Sequence, residues 1–423
     1  MSSGPVPPQR QPSRSRSRVG PQSVTGGRIL DVDALLDDRR TGIIVCCGSG
    51  GVGKTTVSAA LALRAAERGR RVVVLTIDPA RRLAQSMGVE ALDNTPRPVA
   101  GVSVRDGSTD RVSTGSTDEG GSTTEGAGSL DAMMLDMKRT FDEVVESQAS
   151  PEKARQILEN PFYVALSSSF AGTQEYMAME KLGQIHADAR RDHTYDLIVV
   201  DTPPSRSALD FLDAPERLSS FLDGRFIRLM LTPARGPARL MTAGVSLVTN
   251  ALTKVLGAQV LRDMQTFVAA FDTLFGGFRQ RAQKTFELLQ ADGTAFLVVA
   301  APEPDALREA AYFVERLSED DMPLAGLVVN RASPEPLGEL SADEATAAAQ
   351  RLRKDHPDSL TAGLLRLHAD RVRMVEREAS LRGRFEAAHP QVPTAVVRAL
   401  AGDVHDLDGL RQVGALLAGE RPT

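Results

Sequence analysis

Short runs of apolar residues alternate along the chain with segments whose apolar positions recur at helical spacing. Continuous apolar runs are typical of strands buried on both faces of a sheet, whereas helical spacing is typical of elements that pack against it. The runs predict strands at residues 42–47, 71–77, 133–135, 196–200, 295–300, 324–329 and 394–398. This alternation predicts an α/β fold with a doubly wound, mostly parallel sheet, in which ligands bind beyond the carboxyl ends of the strands.

The first predicted strand leads into a glycine-rich segment that fits the pattern G-x-x-x-x-G-K-[ST] and precedes an Ala/Leu-rich helical pattern. Its residues are Gly48, Ser49, Gly50, Gly51, Val52, Gly53, Lys54, Thr55 and Thr56. Glycines there allow successive backbone N–H groups to converge on phosphate oxygens, while Lys54 adds a positive charge and Thr55 a hydroxyl ligand for Mg²⁺. The flanking strand and helix favour a site for a nucleoside triphosphate with Mg²⁺ over a glycine-rich turn that matches by chance.

Two more predicted strands end in a carboxylate. Asp78 follows the second strand and is placed to orient the attacking water, and Asp201 follows the fourth in the arrangement by which a carboxylate holds Mg²⁺. Either acid alone would more often cap a helix or begin a turn. Three strand ends with matching chemistry favour one nucleotide site, with Lys54 and Asp78 as catalytic residues and Thr55 and Asp201 as metal ligands. The sequence leaves open whether Asp78 acts as a general base or only positions the water.

These motifs resemble those of the ArsA-type ATPases, which include arsenite-pump ATPases and the eukaryotic ATPases that carry tail-anchored membrane proteins. The resemblance rests on the phosphate loop and on three further motifs. Thr-Ile-Asp-Pro-Ala at 76–80 is similar to the family's switch I, and Asp-Thr-Pro-Pro at 201–204 is similar to its switch II. The third motif is Leu-Val-Val-Asn at 327–330. It extends from about residue 42 to the C-terminal helix. It implies a dimeric P-loop NTPase of the deviant Walker A class that hydrolyses ATP, with Asn330 in contact with the adenine ring.

The chain departs from the family pattern at Ser49, where members usually carry a signature lysine in the order K-G-G-x-G-K-T. In the family this lysine reaches the phosphates of the partner across a dimer, and a serine has no charge to contribute there. Loss of one such cation costs on the order of a thousandfold in rate. Two outcomes follow: a homodimer that hydrolyses ATP slowly, or a heterodimer in which a lysine-bearing paralogue supplies the cation. We favour the heterodimer as a hypothesis.

The cysteines and histidines argue against a metalloid pump. An arsenite site needs soft thiolates, and the two cysteines, Cys46 and Cys47, are adjacent on a predicted strand, so their side chains point to opposite faces. We expect both to be core residues in a reducing compartment. The sequence has no C-x-x-C, and its six histidines show no ligand spacing, so we expect no zinc site at a dimer interface.

Residues 205–290 form a long, mostly helical pattern with more apolar side chains than one layer of helices needs to pack on a sheet. The resemblance implies that this segment and residues 136–190, approximately, form a helical subdomain with a groove for the transmembrane helix of a client. Flexible Met and Leu side chains suit such a groove, but a self-contained helical core explains the pattern equally well. In the earlier of the two segments, the spacing of Met177, Met179 and Leu182 favours a core stripe over a groove wall.

Composition and charge narrow the class of protein. The 423 residues are 42% hydrophobic and 25% charged, which suffices for a large core, and the net charge of -5 argues against nucleic acid as an obligate partner. No window holds the ~18 uninterrupted apolar residues that predict a transmembrane segment, and the N-terminus lacks an apolar signal core, so we expect a cytoplasmic location.

Two low-complexity segments predict disorder. Residues 1–28 are rich in Pro, Ser, Gly and Arg and contain no acid, which predicts a disordered basic tail. Residues 105–129 consist almost wholly of Gly, Ser, Thr, Asp and Glu, which predicts a disordered insertion. Residues 29–423 are then predicted to form one P-loop ATPase domain that carries the helical subdomain.

Three classes of function are compatible with these features. The leading one is an ATP-driven dimeric switch that loads and releases a protein or membrane client. The second is a regulatory subunit that holds ATP but scarcely hydrolyses it, because Ser49 replaces a cation. The third is a membrane-positioning ATPase of the partition type, which expects a basic amphipathic C-terminal helix, whereas residues 407–420 contain Arg411 as their one cation.

Overall fold

Eight strands form one sheet in the computed structural model, which describes residues 28–77, 82–89, 91–102, 128–161, 163–164, 173–203, 277, 280–336 and 338–420. The strands are β1 Ile43–Cys47, β2 Arg71–Thr76, β3 Arg97–Pro98, β4 Ser129–Met134, β5 Leu197–Asp201, β6 Thr294–Ala300, β7 Leu324–Ala332 and β8 Thr394–Arg398. The helices with defined ends are α1 Val32–Asp37, α2 Lys54–Glu67, α3 Arg82–Ser86, α4 Met137–Gln148, α5 Pro151–Leu158, α6 Thr173–Asp192, α7 Pro304–Glu319, α8 Ala342–Asp355, α9 Leu360–Ala388 and α10 Leu407–Leu417. Residues 280–290 are also helical.

The strand order is β3-β4-β2-β5-β1-β6-β7-β8, and each neighbouring pair is parallel except β3 with β4. From β1, the chain first builds one half of the sheet, with β2 to β5, and then the other half, with β6 to β8. The order therefore reverses beside β1, and such a switch point leaves a crevice at the carboxyl ends of the strands. The predicted α/β class with a mostly parallel sheet is confirmed.

All seven predicted strands are present, with ends shifted by a few residues. β4 begins at Ser129, earlier than predicted, because polar residues such as Asp131 interrupt its apolar pattern. β7 continues to Ala332. β3 was not predicted, because it is a two-residue edge strand with both residues exposed, and no apolar run marks it. The pair of helices α8 and α9, inserted between β7 and β8, was also not predicted.

The core lies on both faces of the sheet, since successive residues of a strand point to opposite faces. In β1, Ile43, Val45 and Cys47 are buried with α4, α6 and α7, whereas Ile44 and Cys46 are buried with α2 and α10. Both cysteines are free and fully buried. The prediction that the two cysteines are core residues on opposite faces is confirmed.

α6 contributes apolar side chains to the core on one face of the sheet. Met177, Met179 and Leu182 are at most 1% exposed and share one apolar cluster with Phe141 of α4. This part of the predicted helical subdomain is therefore core and not the wall of a groove. Residues 204–276 lie outside the described residues, so the choice between groove and core for that segment stays a prediction.

The last residues of the two segments predicted to be disordered take part in the sheet. The carbonyl oxygen of Arg28 accepts a 2.7 Å hydrogen bond from the backbone N–H of Thr394, and Ser129 is the first residue of β4. Residues 1–27 and 103–127 lie outside the described residues, and their predicted disorder stays a prediction.

Among the helices of the described ranges, none combines the length and the apolar character that crossing a membrane requires.

Candidate functional site

A loop at residues 48–53 joins the end of β1 to the start of α2. Gly48 has a φ of 147° and Gly53 a φ of 91°, conformations that favour glycine. Neither position has room for a side chain. A Cβ on Gly48 would overlap the carbonyl oxygen of Val299, and one on Gly53 would overlap the side-chain Nδ2 of Asn330. The two glycines of the sequence pattern are therefore required by backbone conformation and by space.

Lys54, the first residue of α2, folds its side chain back along this loop. Its Nζ donates 2.9 Å hydrogen bonds to the carbonyl oxygens of Gly48 and Ser49, and the residue is 6% exposed. The ammonium group thus lies against the loop at the N-terminus of a 14-residue helix, whose dipole adds to the positive potential. A buried cation beside a helix N-terminus and a loop of glycines attracts an anion.

Asp201 joins three elements at the carboxyl end of β5. Its Oδ2 accepts a 2.7 Å hydrogen bond from Thr55 Oγ1 at the start of α2 and a 2.9 Å hydrogen bond from Thr76 Oγ1 at the end of β2. Asp201 is fully buried, and the sheet places it beside Thr76 on one side and Cys46 on the other. The strand register therefore brings Asp201, predicted to hold Mg²⁺, to Thr55, the other predicted magnesium ligand.

The donors at this point fit Mg²⁺. A carboxylate and a hydroxyl are hard oxygen ligands, and protein magnesium sites use one or two such side chains together with water and substrate phosphates. In the ranges that the structure describes, no group of three or more His, Cys, Asp and Glu side chains is arranged to hold a metal. The pair Thr55 and Asp201 is thus suited to a metal that arrives with a nucleotide, not to a fully protein-ligated ion.

Two hydrogen bonds from Thr202 connect the end of β5 to β1. Its Oγ1 and its backbone N–H both donate to the carbonyl oxygen of Cys46, at 2.8 and 3.3 Å. Cys46 is followed by Cys47, the last residue of β1, and then by the loop. The contact therefore holds Thr202 close to the start of the loop. Neither Thr76 nor Thr202 carried a predicted role, and the one available signal was their place inside the quoted motifs.

β7 contacts the other side of the loop. Asn330 is buried, and its Nδ2 donates a 2.8 Å hydrogen bond to the carbonyl oxygen of Val52. The next residue, Arg331, is exposed, and its Nη1 donates a 2.9 Å hydrogen bond to the carbonyl oxygen of Gly51. Asn330 was predicted to lie at this site and does so, whereas Arg331 was missed because a single arginine after a strand has no distinguishing pattern.

The two cysteines that precede the loop do not ionise readily to thiolates. Burial in the apolar sheet raises the pKa of the Cys46 thiol to about 12 and also raises the pKa of Cys47. Both thiols are therefore protonated at neutral pH. A thiol in this state is a weak ligand and a weak nucleophile.

Comparison with known proteins identifies the family. The family model described as "Anion-transporting ATPase", ArsA ATPase, matches residues 41–103 and 116–380. The chain belongs to the ArsA ATPase family. The family predicted from the sequence motifs is confirmed.

Relatives of this ArsA-family chain are distant in sequence but extend over most of its length. It is 23% identical over 407 residues to ATPase BagA of Mycobacterium tuberculosis, which covers 93% of this chain and 97% of that protein. It is 25% identical over 325 residues to an arsenical pump-driving ATPase of Acidiphilium multivorum, covering 76% of this chain and 44% of that protein. It is 24% identical over 315 residues to ATPase GET3B of Arabidopsis thaliana, covering 72% of this chain and 68% of that protein.

In this ArsA-family protein, the structure brings most of the predicted site residues together. Lys54, Thr55, Asp201 and Asn330 all contact the loop or the first turn of the helix that follows it. Asp78 lies outside the described residues, so its predicted role in orienting water stays a prediction.

Proposed function

We propose that this ArsA-family ATPase binds ATP with Mg²⁺ at the loop after β1, hydrolyses it, and acts as a dimeric switch that binds or delivers a protein or membrane client. The observation that carries this proposal is the 2.7 Å hydrogen bond from Thr55 Oγ1 to Asp201. It joins the start of α2 to the end of β5 and so sets a hydroxyl and a carboxylate side by side at the phosphate loop. The family match supports the ATPase activity.

In this proposal, the loop and the side chains that contact it each have a role in binding ATP or Mg²⁺. Backbone N–H groups of the loop bind the phosphates of ATP, and Lys54 neutralises part of their charge. Thr55 and Asp201 hold Mg²⁺, and Thr76 keeps the carboxylate of Asp201 oriented through its own hydrogen bond. Bound Mg²⁺ supplies neutralisation of the charge that develops on the phosphates.

Asp78 and Asn330 complete the proposed site. β2 is the neighbour of β5, and Asp78 follows β2 by two positions in the sequence. We propose that Asp78 orients the attacking water. Asn330 is anchored on Val52 of the loop, which supports its proposed contact with the adenine ring.

Ser49 sets the expected rate of a dimer made from this chain alone. Its side chain has no charge, and Lys54 is hydrogen-bonded within its own loop. Because one cation supplied in trans contributes on the order of a thousandfold to phosphoryl transfer, the homodimer is expected to be slow. We therefore propose a heterodimer with a lysine-bearing paralogue. The competing function that Ser49 favours is a regulatory subunit that binds ATP without turnover.

Two other functions receive less support. A metalloid pump needs accessible thiolates, whereas Cys46 and Cys47 are fully buried and protonated. A membrane-positioning ATPase needs a free amphipathic C-terminal helix, whereas α10 buries Leu410 and Val413 in the core that it shares with α2. The apolar face of α10 is thus covered by protein.

Calorimetry of ATP binding tests the site. The wild-type chain is expected to bind ATP with Mg²⁺, Lys54→Ala to lose most of this affinity, and Lys138→Ala, at an exposed lysine of α4, to retain it. Absence of binding by the wild type, alone and with a lysine-bearing paralogue from the same genome, would rule out the proposed function. Adding that paralogue is expected to raise ATP turnover, and a lack of both association and acceleration would favour the regulatory subunit.

Capture of an apolar helical peptide tests the client. We expect the wild type to retain such a peptide in the presence of a slowly hydrolysed ATP analogue and to release it in ADP. Lys54→Ala is expected to show no dependence on nucleotide. Retention that is equal in both nucleotides would leave ATP binding intact but contradict the coupling to a client.

A further inference from the structure

Arg331 lies in a β-bulge that directs it away from the regular ladder between β7 and β8. Val329 pairs with Val396 and Ala332 with Arg398, so two residues of β7, Asn330 and Arg331, stand against one residue of β8. Bulges of this kind re-aim side chains and are frequent beside functional sites. Here the bulge aims both side chains at the phosphate loop.

Arg331 also has a strained backbone. Its φ is 61°, in the left-handed region that glycine and asparagine adopt most readily and that other residues rarely adopt. A glycine at this position would remove the strain but would lose the side chain. Strain of this kind persists where the side chain is needed and the surroundings hold it in place.

α9 is hydrogen-bonded to the chain just after the bulge. The backbone N–H and the Oγ of Ser333, two residues after Arg331, donate 2.8 and 2.7 Å hydrogen bonds to the carboxylate of Glu378. The strand is thus fastened on α9 just beyond the bulge. This gives the α8 and α9 insertion a role in presenting Arg331 to the loop.

The contact that Arg331 makes is at the most open part of the loop. Gly50 and Gly51 are both exposed, and a Cβ on Gly51 would meet no atom within 4 Å. Two adjacent glycines lose much backbone entropy when they are ordered. The 2.9 Å hydrogen bond from Arg331 Nη1 to the Gly51 carbonyl oxygen restrains this apex from its exposed side, while Lys54 binds the Gly48 and Ser49 carbonyl oxygens from the buried side.

The hydrogen bond to Gly51 also brings the positive charge of Arg331 to a loop residue that is two positions from Ser49 in the sequence. Arg331 is exposed, and its guanidinium contacts the carbonyl oxygen of Gly51. A guanidinium has five N–H donors, and the contact with Gly51 uses one of them. Positive charge and hydrogen-bond donors therefore remain available at the exposed side of the loop, where Ser49 supplies no cation.

We propose that Arg331 is a positioning residue of the phosphate loop, which orders its Gly50-Gly51 apex and adds a positive charge on the exposed side of the loop of its own chain. This inference rests on the proposed function, since it assumes that the loop binds the phosphates of ATP. The extra phosphate of ATP makes the effect of this charge larger for ATP than for ADP. Arg331 thus increases both the affinity for the triphosphate and its preference over the diphosphate.

Three substitutions separate charge, hydrogen bonding and strain. Arg331→Lys keeps the charge, Arg331→Gln keeps a donor without charge, and Arg331→Gly removes the side chain and relieves the strained backbone. Arg155→Gln, at an exposed arginine of α5, is the control for loss of one positive charge elsewhere. The dissociation constants for ATP and for ADP, each with Mg²⁺, are measured by calorimetry at two salt concentrations, and thermal unfolding is measured in parallel.

We expect Arg331→Gln and Arg331→Gly to weaken ATP binding about tenfold and ADP binding less, with a smaller salt dependence, and Arg331→Lys to retain most of the affinity. Arg331→Gly is expected to unfold at the wild-type temperature or above, which separates loss of binding from loss of fold. Wild-type affinity in Arg331→Gln and Arg331→Gly would overturn the inference while the proposed function stands. Equal losses in the Lys and Gln variants would overturn the role of the charge. Absence of ATP binding by the wild type would overturn both.

Discussion

The hydroxyl of Thr76 donates a 2.9 Å hydrogen bond to the Oδ2 of Asp201, from one parallel strand to the next. The register of β2 with β5 places these two residues directly beside each other. The same carboxylate oxygen accepts from Thr55 on α2. A buried carboxylate held by two hydroxyls has a defined orientation, which a metal ligand requires.

Asp201→Asn is expected to lower ATP turnover about 100-fold and to raise the Mg²⁺ concentration needed for half-maximal turnover, because an amide oxygen without charge is a weak magnesium ligand. Phosphate release measured across a magnesium titration checks this. Asp188→Asn, at an exposed acid of α6, is the control for loss of one carboxylate elsewhere and should leave the magnesium dependence unchanged. An unaltered magnesium profile in Asp201→Asn would remove Asp201 from the metal site.

Gly53→Ala is expected to destabilise the fold by about 2 kcal/mol, since the added Cβ meets the amide of Asn330 and the backbone is left-handed. Gly51→Ala carries a similar left-handed φ of 79° without any neighbour in the way, and should cost about 1 kcal/mol. Urea unfolding measures both. Adding Asn330→Ala to Gly53→Ala should recover part of the loss, and equal costs at the two glycines would contradict the predicted overlap.

Arg70→Met is expected to cost about 3 to 5 kcal/mol of unfolding free energy, because it leaves polar groups unpaired in the core. Arg70 is 1% exposed, and its guanidinium donates to the Asp196 carboxylate at 2.7 Å and to the carbonyl oxygen of Thr41 at 2.8 Å. Arg71→Met is the matched control, since Arg71 is exposed and 3.9 Å from the same carboxylate, and should cost well under 1 kcal/mol. Chemical unfolding of the two variants distinguishes them, and similar losses would show that burial does not decide the effect.

Stability is expected to fall in alkaline solution because of the buried thiols. Burial raises the pKa of Cys46 from 9.0 to about 12. Between these values the unfolded thiol has lost its proton and the native thiol keeps it, so the native state binds more protons and the free energy of unfolding decreases as the pH rises, by about 1.4 kcal/mol per pH unit for one such group. Below pH 9 this contribution is fully present.

The measurement is the urea midpoint between pH 8 and pH 11, compared with that of a variant carrying Cys46→Ala and Cys47→Ala. The double variant should lose stability less steeply over this range, although its absolute stability is lower. Buried tyrosines such as Tyr163 are present in both proteins and cancel in the comparison. Parallel curves for the two proteins would exclude the thiols as the source of the alkaline loss.

The sheet, the phosphate loop and the acid at the end of β5 all follow from local sequence. Burial on both faces demands continuous apolar runs, so β1, β2, β5 and β6 are visible along the chain. Phosphate binding by backbone N–H groups demands glycines at set offsets before a lysine, so the loop is visible as well. Such features depend on neighbours in the chain, and a pattern of neighbours is what a sequence displays directly.

The hydrogen bonds that finish the site depend instead on residues far apart in the chain. Thr76 and Asp201 are separated by 125 positions, and Arg331 and Gly51 by 280. The first contact requires the exact strand order and register, and the second requires a bulge and a left-handed arginine whose strain is offset by the surrounding fold. No local pattern encodes a register between distant strands, because many pairings bury the same apolar residues and the packing of the whole sheet selects among them.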